Sequence, residues 1–289
     1  MTVRILLAGA TGVVGRLLVP LLVAEGHHVT ALTRRPDRVP ALRAAGAEPA
    51  VVDVKDARAL SATVRDAAPE VVVHQLTDLS AADLAANSAL RVTGTRNLVD
   101  AALAAGSRRI VAQSICWAYA GGDDLATEDV PLDLDAPEPR RTSVRGVAAL
   151  EAAVREAPEW VVLRYGSFYG PGTWFAPDGA RADAARAGEL VADTAVTSFL
   201  HVEDAAAAAV AALGWPSGAV NVCDDEPATG QEWVPAFCAA VGAPPPPVST
   251  APRPGWARGA DNRLAREQRG WAPRYRSWRE GFARSVAVA

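Results

Sequence analysis

The chain is almost without lysine. It carries 29 basic residues, and apart from Lys55 every one of them is an arginine. Methionine is down to one residue, cysteine to three and the aromatic share to 6%. Cys116, Cys223 and Cys238 have no metal-type spacing. Their odd number suits a reducing cytosol, and the alternative for all three is service as small core residues. There is no excess of positive charge: the net charge is −4, spread without long like-charge runs. That argues against a nucleic-acid footprint, which needs a basic stripe. No apolar run reaches membrane-spanning length. The first residues run almost directly into a strand-like stretch, Val3 to Ala8, with no signal-peptide pattern, so a cytoplasmic location is expected. What the chain does have is bulk and apolar content. Its 289 residues, half of them hydrophobic, suit one large α/β domain or a domain with a small lobe.

The first half alternates short apolar runs with longer amphipathic ones. Strands are expected at Val3–Ala8, His28–Leu32, Pro49–Val52, Val71–Gln75, Arg109–Gln113 and Trp160–Arg164. Helices are expected between them, at Val13–Glu25, Ala57–Ala67 and Leu84–Ala105. Continuous apolar strands separated by helices predict a doubly wound, Rossmann-type parallel sheet covered on both faces. After Arg164 the pattern changes. A Gly/Tyr/Pro-rich turn at Tyr165–Gly172 precedes a short helix at Ala180–Ala187, a strand at Phe199–Val202, a helix at Glu203–Leu213 and a strand at Ala219–Val222. A helix near Gln231–Ala240, a Pro-rich connector at Pro244–Pro247 and a polar helix near Asp261–Arg269 follow. The expected division is a core over residues 1–165 and a smaller substrate lobe with a lid over 166–289, with segments near 196–225 returning to the core.

Directly after the first strand stands Gly9-Ala10-Thr11-Gly12-Val13-Val14-Gly15. In a GxxGxxG between strand and helix, the first glycine makes the tight turn, the second admits a pyrophosphate to the backbone, and the third lets helix and strand pack closely. The anion rests on the N–H groups of the helix start. The second strand ends in Thr33-Arg34-Arg35-Pro36. A protein selective for NAD usually places a carboxylate here for the ribose 2′-OH. Guanidinium groups match a 2′-phosphate instead, so NADPH/NADP+ is the expected cofactor. Asp53 is placed either to touch the adenine amine or to cap the next helix.

These motifs resemble those of extended short-chain dehydrogenase/reductase proteins, the epimerase/dehydratase-like branch. The resemblance runs nearly end to end. It includes Val72-Val73-His74, Val92-Thr93-Gly94-Thr95-Arg96-Asn97-Leu98, Leu163-Arg164-Tyr165-Gly166-Ser167-Phe168-Tyr169-Gly170-Pro171-Gly172, Phe199-Leu200-His201-Val202-Glu203-Asp204 and Trp278-Arg279-Glu280-Gly281-Phe282. On this frame the dinucleotide is expected against Gly9, Thr11, Gly12, Val13, Val14, Gly15, Thr33, Arg34, Arg35, Asp53, Val54, Leu76, Thr77, Ser114, Tyr165, Gly166 and Ser167.

The resemblance also implies an acid–base set of Ser/Thr, Tyr and a Lys four residues after the Tyr, and this set is missing. The only lysine is Lys55, and Val51 stands four residues before it. Aligned on Glu151, Ser143 takes the tyrosine position and Val147 the lysine position. Ile115 stands where the serine or threonine belongs, with Ser114 beside it, and Arg91 replaces a usual asparagine. The remaining candidate donors are Ser114, Ser143, Tyr119 and Tyr165; the first three have structural alternatives, namely a hydrogen bond to the loop, a helix cap and turn packing. His201 is a candidate base or a packed ring. Trp117, Tyr119, Trp174 and Phe175 would flank a cleft for a flat ligand, and Trp174–Leu190 is the candidate lid, hinged at Pro171 and Gly172.

Hydride transfer needs only cofactor and acceptor in place. A missing general acid costs about 10²–10⁴-fold, which an activated substrate tolerates. The expectation is an NADPH-dependent ketoreductase of the atypical type. Its substrate would be a bulky aromatic, angucyclinone-like polyketide ketone of antibiotic biosynthesis, with the proton coming from substrate or water. The alternatives are a non-catalytic NADP(H) sensor and a nucleotide-sugar epimerase or dehydratase.

Overall fold

The computed structural model describes residues 2–77 and 84–287. In chain order the elements are β1 (Arg4–Ala8), α1 (Gly15–Ala24), β2 (His28–Thr33), α2 (Val39–Ala44), β3 (Glu48–Val51), α3 (Ala57–Ala67), β4 (Val71–His74), α4 (Leu84–Ala89), α5 (Thr95–Ala104), β5 (Arg109–Ile115), α6 (Arg140–Val154), β6 (Glu159–Tyr165), β7 (Ser167–Tyr169), α7 (Ala180–Arg186), β8 (Val196–Thr197), β9 (Phe199–His201), α8 (Val202–Ala211), β10 (Gly218–Val222), β11 (Ala228–Thr229), α9 (Gly230–Ala240) and α10 (Trp278–Ala287). The main sheet has seven strands in the order β10-β6-β5-β4-β1-β2-β3. β1 lies parallel to both β2 and β4, with Ala8 opposite Leu32 on one side and His74 on the other. This is the expected Rossmann-type arrangement. All four residues of β4 are buried, as a strand covered on both faces requires.

The chain divides into two compact units. The first comprises residues 1–114, 134–163 and 206–219, and the second 115–133, 164–205 and 220–289. The loop after β5 belongs to the second unit, and the end of α8 with the start of β10 belongs to the first. The first unit has its own core, which includes Leu6, Leu60, Val64, Leu98, Val99 and Val154. The second has an aromatic core around Phe175, Phe199, Phe237, Trp278 and Phe282. The stretch expected as a lid is anchored in that core by Phe175, Ala182, Ala185 and Leu190. Among the described residues no helix is long and apolar enough to cross a membrane.

Three elements differ from expectation. The helix expected over Leu84–Ala105 is α4, one π turn at Leu90–Gly94, and α5. Gly94 packs so closely there that a Cβ would stand 2.8 Å from Leu90 Cδ1. The polar helix expected near Asp261–Arg269 shrinks to a π turn at Leu264–Gln268. The side chains before it are bonded elsewhere: Asn262 Nδ2 donates to the Cys223 carbonyl at 2.9 Å, and Asp261 Oδ1 accepts from the Arg263 N–H at 2.8 Å. Such local bonds compete with the helix ladder. Finally, α6 begins at Arg140, so Ser143 lies inside it and does not cap it. Glu138 serves instead, accepting from the Thr142 N–H at 3.2 Å and the Thr142 hydroxyl at 2.8 Å.

Candidate active site

The turn after β1 is built around its glycines, but not all three are demanded by the fold. Gly9 has φ +91°, and a Cβ on it would collide with the Gln75 carbonyl; one on Gly15 would collide with the Gly9 carbonyl and Ala10. Those two glycines close the turn. A Cβ on Gly12 meets nothing nearer than the Gly9 carbonyl oxygen at 3.3 Å, and the backbone there has no left-handed φ. Gly12 is exposed, as is Thr11. The protein's own packing therefore crowds that position less than Gly9 or Gly15, as a site for a close external phosphate would. Val14 is buried at 3% exposure and is the N-cap of α1, which starts at Gly15 rather than Val13. The positive end of the α1 dipole faces the same edge, although the Arg16, Leu17 and Leu18 N–H groups are already bonded to the Gly12 and Val14 carbonyls. The residues present fit a dinucleotide.

At the end of β2, Thr33 is buried and its hydroxyl accepts from the Arg35 N–H at 3.0 Å. Arg34 and Arg35 are exposed. Arg35 forms a two-pronged ion pair with Asp37, 2.8 Å at the shorter contact, and this hydrogen bond holds the Asp37 carboxyl below its ordinary range. Asp53 does not cap α3. Its Oδ1 accepts from the Lys55 N–H at 2.9 Å, and the cap is Asp56, which accepts from Ala59 at 3.0 Å. Val54 is buried, and its carbonyl accepts from Asn97 Nδ2 at 2.9 Å. Past β4, the Leu76 N–H donates to His74 Nδ1 at 3.2 Å, while His74 Nε2 pairs with the Thr95 hydroxyl at 2.8 Å. Burial pushes His74 down to about 4, so it stays neutral. Leu76 and Thr77 are half-buried.

The first unit also holds the positions where an acid–base set would stand. Ser114 is buried and its hydroxyl donates to Glu151 at 2.8 Å. The other oxygen of Glu151 accepts from Arg155 at 3.0 Å. The alternative anticipated for Ser114 was a bond to the loop; its actual partner is a fully buried carboxylate. Its proton is therefore committed. Ser143 is 2% exposed and Val147 not at all, so neither position offers an acid. Arg91, at the π turn, is 6% exposed, and burial pulls its guanidinium down to about 10.

In the second unit, Tyr119 is 1% exposed. Its hydroxyl donates to Asn221 Oδ1 and accepts from Arg164 at 3.0 Å, and burial pushes its ionisation up. The phenol is thus engaged as both donor and acceptor within the protein. Tyr165 is likewise buried, donating to the Ala205 carbonyl at 3.2 Å. Gly166 lies where a Cβ would meet the Ser198 carbonyl at 2.8 Å. Phe175 is not a substrate wall: it sits in the core, with ring centroids 5.3 Å from Phe199 and 5.4 Å from Phe237. His201 is packed as well, stacked on Tyr275 at 3.7 Å, accepting from the Glu203 N–H at 3.2 Å, and lowered by burial to about 4.

Trp117 and Ser167 do come together, on a cavity of about 280 Å³ lined also by Cys116, Thr197, Ser198 and Trp256. Trp117 and Trp256 are the half-exposed aromatics of this cavity, at 36% and 37%. Trp256 was not anticipated from the sequence; its one signal is a bulky aromatic in a Pro/Gly-rich stretch (Pro252–Gly259). Trp174 is exposed, outside this lining. Among the described residues no cluster of His, Cys, Asp or Glu would hold a metal.

Asp224 is buried in the second unit, and one of its carboxylate oxygens lacks a hydrogen-bond partner. Burial pushes it from an ordinary 3.8 up to about 8. The folded state therefore binds this proton more tightly than the unfolded chain. Between roughly pH 4 and pH 8 its contribution lowers stability as pH rises, and the loss is complete above pH 8. Asp224→Asn is expected to flatten that slope and raise Tm at pH 9 more than at pH 5. Thermal melts across this range check it; an unchanged slope would mean that Asp224 is ionised in the folded protein.

Comparison with known proteins agrees with this architecture. A model of the NAD dependent epimerase/dehydratase family matches residues 5–223. The chain is 46% identical over 306 aligned positions, spanning 97% of this chain and 99% of the relative, to a 3-diazoavenalumate denitrifying reductase from a Streptomyces species. It is 29% identical to a UDP-glucose 4-epimerase of Mycolicibacterium smegmatis, over 98% of this chain and 97% of that one. Among solved structures, the Bordetella bronchiseptica enzyme WbmG in complex with NAD and UDP superimposes with a TM-score of 0.80 at 25% identity, covering 99% of this chain and 94% of that one.

Proposed function

The chain belongs to the NAD-dependent epimerase/dehydratase family, and from that premise we propose that it is an NADPH-dependent reductase of a small aromatic molecule, delivering hydride without a protein-supplied proton. The observation that carries this reading is the state of the acid–base positions. Ser143 and Val147 are buried where a tyrosine and a lysine would act, and the Ser114 proton is held by Glu151. Gly9, Gly12, Gly15 and the start of α1 would hold the pyrophosphate, with Arg34 and Arg35 at the 2′-phosphate. When bound, the nicotinamide supplies hydride chemistry. The cavity bearing Trp117 and Trp256 suits a flat ring.

An arenediazonium is an acceptor that needs no acid. Hydride added to its terminal nitrogen forms an N–H bond and gives a neutral aryl diazene. That hydrogen then passes to the ring carbon as the C–N bond breaks and N2 leaves. Atoms and charge balance without a proton entering. The similarity to a denitrifying reductase of a diazo compound favours this substrate class. The aromatic cavity favours a second reading, an aromatic polyketide ketone of the angucyclinone kind. There hydride forms the C–H bond, the carbonyl electrons move to oxygen, and a neighbouring phenol or water gives one proton to the alkoxide. Both readings place the protein in secondary metabolism, with a cytoplasmic location.

The deciding experiment follows NADPH absorbance with ortho-hydroxyarenediazonium compounds and with phenol-bearing aromatic ketones, together with N2 release. Oxidation of NADPH with stoichiometric N2, persisting in Ser143→Ala, supports the first reading; alcohol formation without N2 supports the second. Tight NADPH binding without consumption across both panels would instead indicate a sensor. The cofactor preference has its own test. Replacing Arg34 and Arg35 together by alanine is expected to weaken NADPH binding about 10–100-fold, the loss of charge-assisted bonds, and to leave NADH binding nearly unchanged. Equal losses for both would refute selection at this position.

A further inference from the structure

The first unit buries a positive charge that nothing described in the protein balances. Arg91 is the second residue of the π turn (Leu90–Gly94) between α4 and α5 and is 6% exposed. Among the described residues its guanidinium has no hydrogen-bond or ion-pair partner, and the basic character it loses is lost to burial alone. Buried charges in folded proteins are paired or hydrogen-bonded, because an isolated one is strongly destabilising. A π turn inside a helix is itself a costly local form that recurs at functional sites.

Its position is informative. Arg91 lies within electrostatic reach of His74, at the carboxyl end of β4. His74 pairs in register with Ala8, the residue before the glycine turn. Ligands of such sheets bind outside the carboxyl ends of the strands where the order reverses, and here that point lies between β1 and β4. The 2′-phosphate and adenosine side falls to β1, β2 and Arg34–Arg35. Arg91 is on the other half, with β4, β5 and α6. Its π turn packs against α6, the helix that carries Ser143 and Val147.

Hydride transfer leaves its acceptor one charge more negative. Where no acid neutralises that charge, a preorganised cation in a water-poor site must stabilise it. We propose that the Arg91 guanidinium binds the oxyanion of the aromatic substrate, the phenolate or alkoxide oxygen on which the charge of the added hydride comes to rest. Arg91 thus takes over the electrostatic part of the missing acid–base set. An ortho-hydroxyarenediazonium, deprotonated to its neutral diazo-oxide, becomes a phenolate as hydride enters and N2 departs; a ketone becomes an alkoxide. Arg91 meets either product with the same chemistry. This assignment rests on the reductase reading.

The test does not depend on turnover. 4-Nitrophenol, whose phenolate absorbs near the visible, is titrated in the complex of the protein with NADP+. Wild type is expected to lower the probe's pKa by one unit or more, Arg91→Lys to retain most of that shift, and Arg91→Gln to abolish it. Arg91→Gln is also expected to keep or raise Tm, since it removes an unbalanced buried charge, and to leave NADP+ affinity within about threefold. No binding of the probe to wild type, or an equal pKa in wild type and Arg91→Gln, overturns the proposal. So does a large fall in Tm, which would reveal a structural partner, and so does a parallel loss of NADP+ binding, which would assign Arg91 to the cofactor. If the reductase reading alone is mistaken, NADPH consumption fails across the substrate panel while the probe's shift persists.

Discussion

Gly12→Ala is expected to abolish measurable NADPH binding while leaving the melting temperature nearly where it was. A methyl group there meets only the Gly9 carbonyl oxygen at 3.3 Å and requires no unusual backbone angle, so the unliganded protein takes it with a shift of a few tenths of an ångström, far less than Gly15 would demand. A pyrophosphate approaching the same backbone does not. Gly15→Ala is expected to behave in the opposite order. Its added Cβ collides with backbone atoms of Gly9 and Ala10, which cannot swing aside as a flexible side chain would. Overpacking of this kind costs typically about 1–3 kcal/mol or more. Titration of NADPH fluorescence and thermal melts on both variants separate the two effects. Should Gly12→Ala bind NADPH as wild type does, the glycine turn is not the phosphate site and the cofactor assignment falls with it.

Restoring the family's lysine is the second large effect, and it is a loss. Val147→Lys places an ammonium at a side chain with no solvent exposure, in a region where Arg91 is already a buried cation. An uncompensated buried charge costs on the order of 3–5 kcal/mol. At a few degrees per kcal/mol for a domain of this size, Tm should fall by on the order of 10 °C. Adding Ser143→Tyr overpacks a second buried site and should not recover stability. Circular dichroism melts give the answer. A stable, lysine-containing variant that gains epimerase activity would show that the missing pair is a recent and reversible loss; a destabilised one would show that the first unit is rebuilt around its absence. The second outcome is the expected one, because α4 and α6 pack closely: a Cβ on Gly146 would come within 2.6 Å of the Ser88 hydroxyl, and that hydroxyl donates to the Thr142 carbonyl at 2.9 Å.

Much of this was legible in the chain itself. Strand and helix alternation predicts the parallel sheet, because buried central strands are apolar on both faces, as the run Val71-Val72-Val73 is. The glycine turn predicts a phosphate site, because a GxxGxxG between strand and helix leaves bare backbone where a pyrophosphate would approach. The single lysine settles that no Tyr-x-x-x-Lys pair exists, a conclusion that no tertiary fact alters. Other features depend on distant partners that local pattern does not reveal. Tyr119, Phe175 and His201 read as site residues from their place in sequence. Their roles were decided by Asn221, Phe199 and Tyr275, 102, 24 and 74 positions away. Trp256 joined Trp117 at one cavity only because the chain folds 139 positions back upon itself. Ser114 lost its candidacy to Glu151, and Asp53 lost the helix cap to Asp56, three residues on. The sequence by itself determined the sheet, the glycine turn and the missing acid–base pair, since composition and short-range backbone geometry suffice for these. Only the tertiary structure decided which hydroxyls and rings are already engaged and that Arg91 is buried without a counter-charge among the described residues, because burial and partnership belong to the folded packing and not to any local stretch of chain.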